Sequence, residues 1–318
     1  MIVKTGWFGR SNGAEFDRED DGRNLFLRAL IKKLYENFSN DDIEIHFNTQ
    51  FSRSSSKKYL ILLEHEYIRP QNYFHNQVNY RLTFGWDERK KGYECFHYVN
   101  YPHHPTVKIS DDPRIYRYSM VCSNRNIIFG KKYESLYYER QKVISYAEKA
   151  HKEFFLFGAD WHLPFAKKGA LSRIGHAMMR QYKQQTSDRK RLSCYMGRVK
   201  SKNEVLRRST FNFCYENIRN YEGYVSEKLW DAVAASCIPV YWPSGFTYKE
   251  FIPSELVIDA SNFQMPENLF SYLDSISDRE IRLWQGELAK YLPSLIPKIS
   301  FDNYSKVIVD AIKKDLKL

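Results

Sequence analysis

At 318 residues, with 43% apolar and 16% aromatic side chains, the chain is longer than one core ordinarily fills, and its composition excludes a disordered or fibrous protein. A net charge of +11 implies an anionic partner: nucleic acid, an anionic membrane surface or a phosphorylated substrate. The 24 Tyr and 21 Phe suit stacking surfaces for sugars or bases. The first residues, MIVKTGWFGR, lack a charged leader followed by a long apolar core, and apolar runs such as 59–63 fall far short of the roughly 20 residues of a spanning helix. The expectation is a soluble, intracellular chain. Five cysteines (Cys95, Cys122, Cys194, Cys214, Cys237), without close pairing or zinc-ligand spacing, point to reduced, mostly buried thiols.

Residues 1–8 read as a first strand. After the polar loop 9–22, Leu25, Leu27, Leu30, Ile31, Leu34 and Tyr35 predict a helix over 24–38. Ile43-Glu44-Ile45-His46-Phe47 alternates as a second strand. Past a Ser-rich turn at 52–58, the run 59–63 reads as a buried strand that delivers Glu64-His65-Glu66 at its end. The segment 80–86 is a further strand, ending at Asp87-Glu88. The turn-rich stretch 97–113, with His97, His103 and His104, is the expected linker. Strand character resumes at 116–123, a helix is predicted over 136–150, and 154–158 is a strand closed by glycine. The stretch 167–208 is strongly basic, with Lys167, Lys168, Arg173, Arg180, Lys183, Arg189, Lys190, Arg191, Arg198, Lys200 and Lys202. In the tail 304–318, Val307, Ile308, Ala311, Ile312 and Leu316 fall near one face of a basic amphipathic helix. Packing back on the first domain is the expectation there, and membrane-surface contact the alternative.

Most of the chemistry is concentrated in 211–242. Phe211, Phe213 and Tyr215 alternate with Asn212 and Cys214 as a short strand that runs into the polar turn 216–220. Ser226 is a good N-cap, and Leu229, Ala232, Val233 and Ser236 fall at helical spacing, so a helix is predicted to start at Glu227. The apolar run 237–242 follows, and strand, crossover helix and strand make a βαβ unit with parallel strands. Glu216, Asn217, Tyr224, Glu227 and Lys228 then gather at the carboxyl end of the first strand and the positive start of the helix, where open α/β sheets bind phosphorylated ligands.

Three blocks in this order, Cys214-Tyr215-Glu216-Asn217, Gly223-Tyr224-Val225-Ser226-Glu227-Lys228-Leu229 and Ile238-Pro239-Val240-Tyr241-Trp242, resemble the donor-binding signature of the α-1,3/4-fucosyltransferases. The family's blocks read Phe-Glu-Asn, Tyr-Val-Thr/Ser-Glu-Lys and Val/Ile-Pro-Val-Tyr. Here Tyr215 replaces the usual Phe, Ser236 stands where many members have Gly, and Pro243-Ser244 interrupts the common Trp-Gly. Ser123-Asn124, Arg140, Phe157-Gly158, Gly197-Arg198-Val199 and 202–206 resemble outlying family blocks, so the likeness covers most of the second half and, more weakly, 1–86. It implies an α/β fold of the GT-B type, two Rossmann-like domains facing a cleft. An acceptor-binding domain with the general base would take 1–112, a GDP-sugar domain 113–298, and a C-terminal helix 299–318 would pack back on the first domain. It also implies an inverting transferase that moves L-fucose from GDP-fucose, in an α-linkage expected to be α-1,3, to N-acetylglucosamine or glucose in a surface polysaccharide such as lipopolysaccharide.

Such an enzyme must hold a diphosphate, recognise ribose and base, and deprotonate an acceptor hydroxyl. Lys228, in the first helical turn, adds a full charge to the helix dipole and suits the diphosphate. Glu227 is the ribose-binding residue that the resemblance implies. Arg198 is the expected second phosphate clamp, with Arg173 and Arg191 as alternatives. Tyr224 borders or stacks on the base, and Asn124, Glu216 and Asn217 position the rest. The resemblance further implies a glutamate base at an N-terminal-domain strand end: Glu64 directly follows its strand, Glu66 is better spaced to Pro70, and Asp87 and Glu88 are weaker candidates. No metal or cofactor is demanded, since Asp20-Asp21 and Asp111-Asp112 lack an Asp-x-Asp strand-end context; a divalent ion would at most stimulate. The expected partners are GDP-fucose and an oligosaccharide or glycolipid acceptor, with peripheral contact to anionic membrane at the inner face and no nucleic acid. A transferase using another sugar nucleotide, a basic nucleic-acid binder and a glycan-binding protein without activity are the competing readings.

Overall fold

The computed structural model describes residues 1–4, 23–88, 95–99, 113–183 and 192–318. The expected strand residues 5–8, the loop 9–22 with Asp20-Asp21, and residues 100–112 of the expected linker, with His103, His104 and Asp111-Asp112, lie outside them, as do Arg189, Lys190 and Arg191. The described chain forms two α/β units. The first takes 1–99, Glu222–Tyr224 and Lys298–Leu318; the second takes 113–221 and Val225–Pro297.

The first unit holds β1 (Ile2–Lys4), α1 (Arg23–Phe38), β2 (Ile43–Phe47), β3 (Lys57–Ile61), β4 (Tyr80–Gly85) and β5 (Phe96–Tyr98), with the C-terminal helix Phe301–Leu316. The strands pair in sequence order, all parallel. Ile43, Ile45, Phe47, Tyr59 and Ile61 point to one face, where Leu30, Leu34 and Phe38 of α1 and Tyr304, Ile308, Val309 and Ile312 of the C-terminal helix close the core. Of the tail's apolar stripe, Ile308, Ala311, Ile312 and Leu316 pack on this core, while Val307 stays exposed. Asp315 ties the helix further, accepting from Tyr59 Oη at 2.7 Å and from Arg81 Nη2 at 2.6 Å.

The opposite face of the first sheet is polar and closed: Glu44 and His46, the polar positions of the alternating β2, are both buried. His46 Nε2 lies 2.9 Å from Glu44 Oε2 and its Nδ1 2.8 Å from Tyr80 Oη, while Lys4 Nζ stands 3.2 Å from Glu44. Burial works against the Glu44 charge, but hydrogen bonds from Ser52, His46 and Lys4 overcome it and hold the carboxyl at about 2. Burial pushes His46 down, so the pair is carboxylate and neutral imidazole at neutral pH.

The second unit holds β6 (Tyr116–Val121), α2 (Leu136–Lys149), β7 (Phe154–Phe157), α3 (Ala170–Lys183), β8 (Tyr195–Gly197), α4 (Lys202–Arg207), β9 (Ser209–Phe213), α5 (Glu227–Ala234), β10 (Ile238–Tyr241), β11 (Ile258–Asp259), α6 (Pro266–Ser275) and the start of α7 (Asp278–Ile299). Its strand order is β11-β10-β9-β6-β7-β8, all parallel. The chain winds outward from β6 through β7 to β8, then returns beside β6 and winds the other way through β9. The carboxyl ends of β6 and β9 are thus a topological switch point, the place in such sheets where ligands bind. An aromatic core locks one face: Phe270 of α6 meets Tyr118, Phe213 and Tyr146 with ring centroids 5.1, 5.3 and 5.5 Å apart.

Candidate functional site

The site is built on the crossover from β9 to β10. Past β9, Tyr215 and Glu216 continue beside β10, with Glu216 N donating to Trp242 O at 3.0 Å. Glu216 is fully buried and acts as a four-way acceptor. Its Oε1 takes Ser226 N at 2.8 Å and Tyr241 Oη at 2.9 Å; its Oε2 takes Ser226 Oγ at 2.7 Å and Lys228 Nζ at 3.4 Å. One carboxylate thereby joins the end of β9, the end of β10, the N-cap of α5 and the lysine of its first turn. Ser226 is the N-cap, its Oγ accepting from Lys228 N and, at 2.8 Å, from Lys228 Nζ. Lys228 keeps 16% of its side chain accessible while its ammonium is held at the positive end of α5, the arrangement that receives an anion.

Glu227 is 39% exposed beside it, its Oε1 3.9 Å from Lys228 Nζ. Burial of its surroundings works against the charge, and the cations of Lys228 and Lys202 prevail and hold its carboxyl below the usual range. Lys202, from α4, pairs with Asp231 of α5 at 2.5 Å, which fixes the outer face of the same helix. The crossover closes behind the site: α5 ends at Ala234, and Ser236 takes φ +48 before Cys237 N bonds back to Ala232 O at 3.0 Å. That left-handed position explains why glycine suits the family block there.

Asn217, in the turn after β9, and Arg140, from α2, support the node. Arg140 is 3% exposed and its Nη2 donates to Tyr215 O, Glu216 O and Asn217 Oδ1 at 2.6, 2.8 and 2.9 Å. A charged residue on the buried stripe of a helix, among Leu136, Tyr137, Val143, Ile144 and Ala147, was the signal in the sequence for such an inward role. Asn124, after β6, is fully buried and holds the loop past β7: its Nδ2 reaches Asp160 O and Pro164 O at 3.0 and 2.9 Å, and its Oδ1 takes Ala166 N at 2.9 Å. Glu216, Asn217 and Asn124 are thus buried and hydrogen-bonded within the unit, while Lys228 and Glu227 at the start of α5 keep part of their side chains accessible.

Arg198 stands elsewhere on the sheet. It follows β8, three strands from β9 and so about 14 Å along the sheet, and is 67% exposed with Nη2 3.4 Å from the buried Asp160 Oδ1. Of its alternatives, Arg173 is exposed on α3 and Arg191 lies outside the described residues. Tyr224 groups with the first unit, buried edge-on to Trp86 with centroids 4.6 Å apart. Sequence reasoning gave Asp231 and Asp160 no role and counted Lys202 only in the basic stretch and the outlying block 202–206.

In the first unit, both candidate bases follow β3. Glu64 N lies 3.3 Å from Asn48 Oδ1, and Asn72 Nδ2 holds Glu64 O at 2.7 Å. Glu66 is 30% exposed, with His65 Nε2 3.5 Å from its Oε2; His65 is itself buried and stacked on Trp86 at 5.5 Å. Asp87 is buried and Glu88 half-buried. Among the described residues no group of three or more His, Cys, Asp or Glu is placed to hold a metal ion, no helix is long and apolar enough to cross a membrane, and all cysteines are unpaired thiols.

Comparison with known proteins fits this geometry. Residues 177–285 match the family described as glycosyltransferase family 10 (fucosyltransferase), C-terminal part. An α-(1,3)-fucosyltransferase of Helicobacter pylori is 43% identical over 77 residues, 24% of this chain and 16% of that protein. A 4-galactosyl-N-acetylglucosaminide 3-α-L-fucosyltransferase of Homo sapiens is 35% identical over 81 residues, 25% of this chain and 22% of the relative. The matched segments are less than a quarter of either relative's length. A crystal structure of an α1,3-fucosyltransferase with GDP superposes with TM-score 0.54 at 16% identity, covering 97% of this chain and 88% of that one. TarM superposes with TM-score 0.51 at 11% identity, covering 88% and 57%. These likenesses show that the fold is the two-unit GT-B type.

Proposed function

We infer that this chain, whose residues 177–285 match glycosyltransferase family 10, is an inverting fucosyltransferase that moves L-fucose from GDP-fucose to a glycan hydroxyl. The observation that carries the reading is the buried Glu216 node, which presents Lys228 at the start of α5 beside a topological switch point. In this reading the diphosphate lies against Lys228 and the α5 N-terminus, which neutralise the charge that grows on departing GDP without a metal ion. Glu227, kept ionised by Lys228 and Lys202, accepts from the ribose hydroxyls. Arg198, braced by Asp160, is the remaining cationic arm for a phosphate oxygen.

The acceptor hydroxyl attacks C1 of fucose as the bond from C1 to the phosphate oxygen breaks, GDP leaves with the bonding pair, and the hydroxyl proton passes to Glu64 or Glu66. A β-linked donor then gives an α-linked product. Glu66 keeps 30% of its side chain accessible, with the buried His65 Nε2 3.5 Å from its Oε2. N-acetylglucosamine or glucose of a surface polysaccharide is the acceptor class in this reading, reached from the cytoplasm. The test is fucose transfer from GDP-fucose to a panel of such sugars by wild type, Glu64→Gln and Glu66→Gln. The base variant loses about a hundredfold or more in kcat with GDP affinity intact; transfer that survives in both variants removes both glutamates from the role.

A further inference from the structure

Helix α3 (Ala170–Lys183) lies on the second unit with an apolar face turned outward. Leu171, Ile174 and Met178 fall at helical spacing on one side and are 85%, 56% and 65% exposed. The helix holds to its unit through a different face, where His176 is buried with its Nε2 3.1 Å from Pro164 O. Its charge is one-sided: 161–187 carries Lys167, Lys168, Arg173, Arg180 and Lys183 and no Asp or Glu.

Each kind of cover leaves a different signature. A second copy of the same helix would bring like charges together at an apolar contact, which costs association. Nucleic acid engages cations at phosphates and bases on aromatic rings, and leaves Leu, Ile and Met unused. A helix with Lys and Arg around an aliphatic face is what lies in the interface of an anionic bilayer, its apolar side among the acyl chains and its cations at the headgroups. The tail helix, the other basic amphipathic element, has most of its apolar stripe packed on the core of the first unit.

We propose that α3 docks the second unit on the surface of an anionic lipid bilayer, with Leu171, Ile174 and Met178 inserted and Lys167 and Lys168, just before the helix, at the lipid headgroups. The proposal stands independently of the donor assignment, because its readout is lipid binding without nucleotide.

The experiment is flotation of the full chain with vesicles of phosphatidylcholine alone and of phosphatidylcholine mixed with phosphatidylglycerol, at low and high salt. Wild type should float with the anionic vesicles only, less at high salt, and the triple variant Leu171→Ser, Ile174→Ser, Met178→Ser should partition about tenfold or more weakly. Unchanged thermal melting shows that the variant is folded, and Leu171→Glu alone, at the most exposed position, serves as a second variant. Failure of wild type to float, equal binding to neutral vesicles, or retention in both variants overturns the proposal. Dimerisation in solution that the variants abolish, without vesicle binding, also overturns it, in favour of a second copy as the cover.

Discussion

Glu216→Gln keeps the shape of the central carboxylate and removes its charge. The amide oxygen can still accept from Ser226 N and Tyr241 Oη, now at 2.8 and 2.9 Å, but the other position becomes an NH₂ group facing Ser226 Oγ at 2.7 Å and the Lys228 ammonium at 3.4 Å. Two hydrogen bonds to a charged acceptor are lost, each worth about 1.5–3 kcal/mol. Lys228, largely buried, loses its closest buried counter-charge, a change that costs about 3–5 kcal/mol where one partner of a buried pair is removed. These are overlapping descriptions of one event, so the expected loss is about 3 kcal/mol. Urea unfolding of the second unit, followed by tryptophan fluorescence, reads it directly. A cycle with Lys228→Met should show the two changes less than additive by about 1–2 kcal/mol, since either one breaks the same pair. A loss under about 1 kcal/mol, or strict additivity, would mean that Glu216 does not organise the node.

Stability should also fall in acid through the first unit. The Glu44 carboxyl sits at about 2 when folded against 4.5 ordinarily, so its contribution of about 3 kcal/mol is complete above 4.5 and is lost as pH drops toward 2. His46, pushed down by burial, acts in the same direction, because protonation below its ordinary 6.5 favours the unfolded chain. Glu44→Gln should flatten the pH dependence of the unfolding free energy in that window, and an unchanged slope contradicts the account. Gly158→Ala should cost about 3 kcal/mol or more: φ is +127 and an added Cβ would lie 1.9 Å from Cys122 O, where β6 and β7 separate. Its melting temperature against wild type is the check, and a stable alanine variant contradicts the geometry.

The βαβ unit was legible because its signals are local. Alternation marked β9 and Ser226 marked the start of α5, but Ser236, counted with the helix from its spacing, stands past the end at Ala234 with φ +48. The strand itself lies at Ser209–Phe213, two residues earlier than the alternation suggested, and beyond it Cys214 N and Glu216 N continue the pairing to Val240 O and Trp242 O. What stayed hidden depends on distant partners. The burial of Glu44 and His46 is one such feature, because nothing in β2 says that Lys4, Ser52 and Tyr80 will cover them. The reading of Glu216 as a positioning residue came from its motif, but its four partners span Ser226, Lys228 and Tyr241, which only the crossover brings together. Helix α7 carries Pro293 and Pro297 inside its length, residues that argue against a helix when read locally. Arg198 was expected as a second phosphate clamp to Lys228, but its distance was not readable in sequence, because it depends on a strand order that sets β8 three strands from β9.

The central claim is that Lys228, set by Glu216 at the head of α5, holds the diphosphate of a guanine nucleotide. Calorimetric titration of wild type and Lys228→Ala with GDP, GDP-fucose and UDP, without added metal, tests it most directly. The account predicts guanine-selective binding by wild type, weakened about tenfold or more in Lys228→Ala while the variant melts like wild type. Equal weak binding of all three nucleotides, or GDP affinity that survives the loss of Lys228, would contradict it.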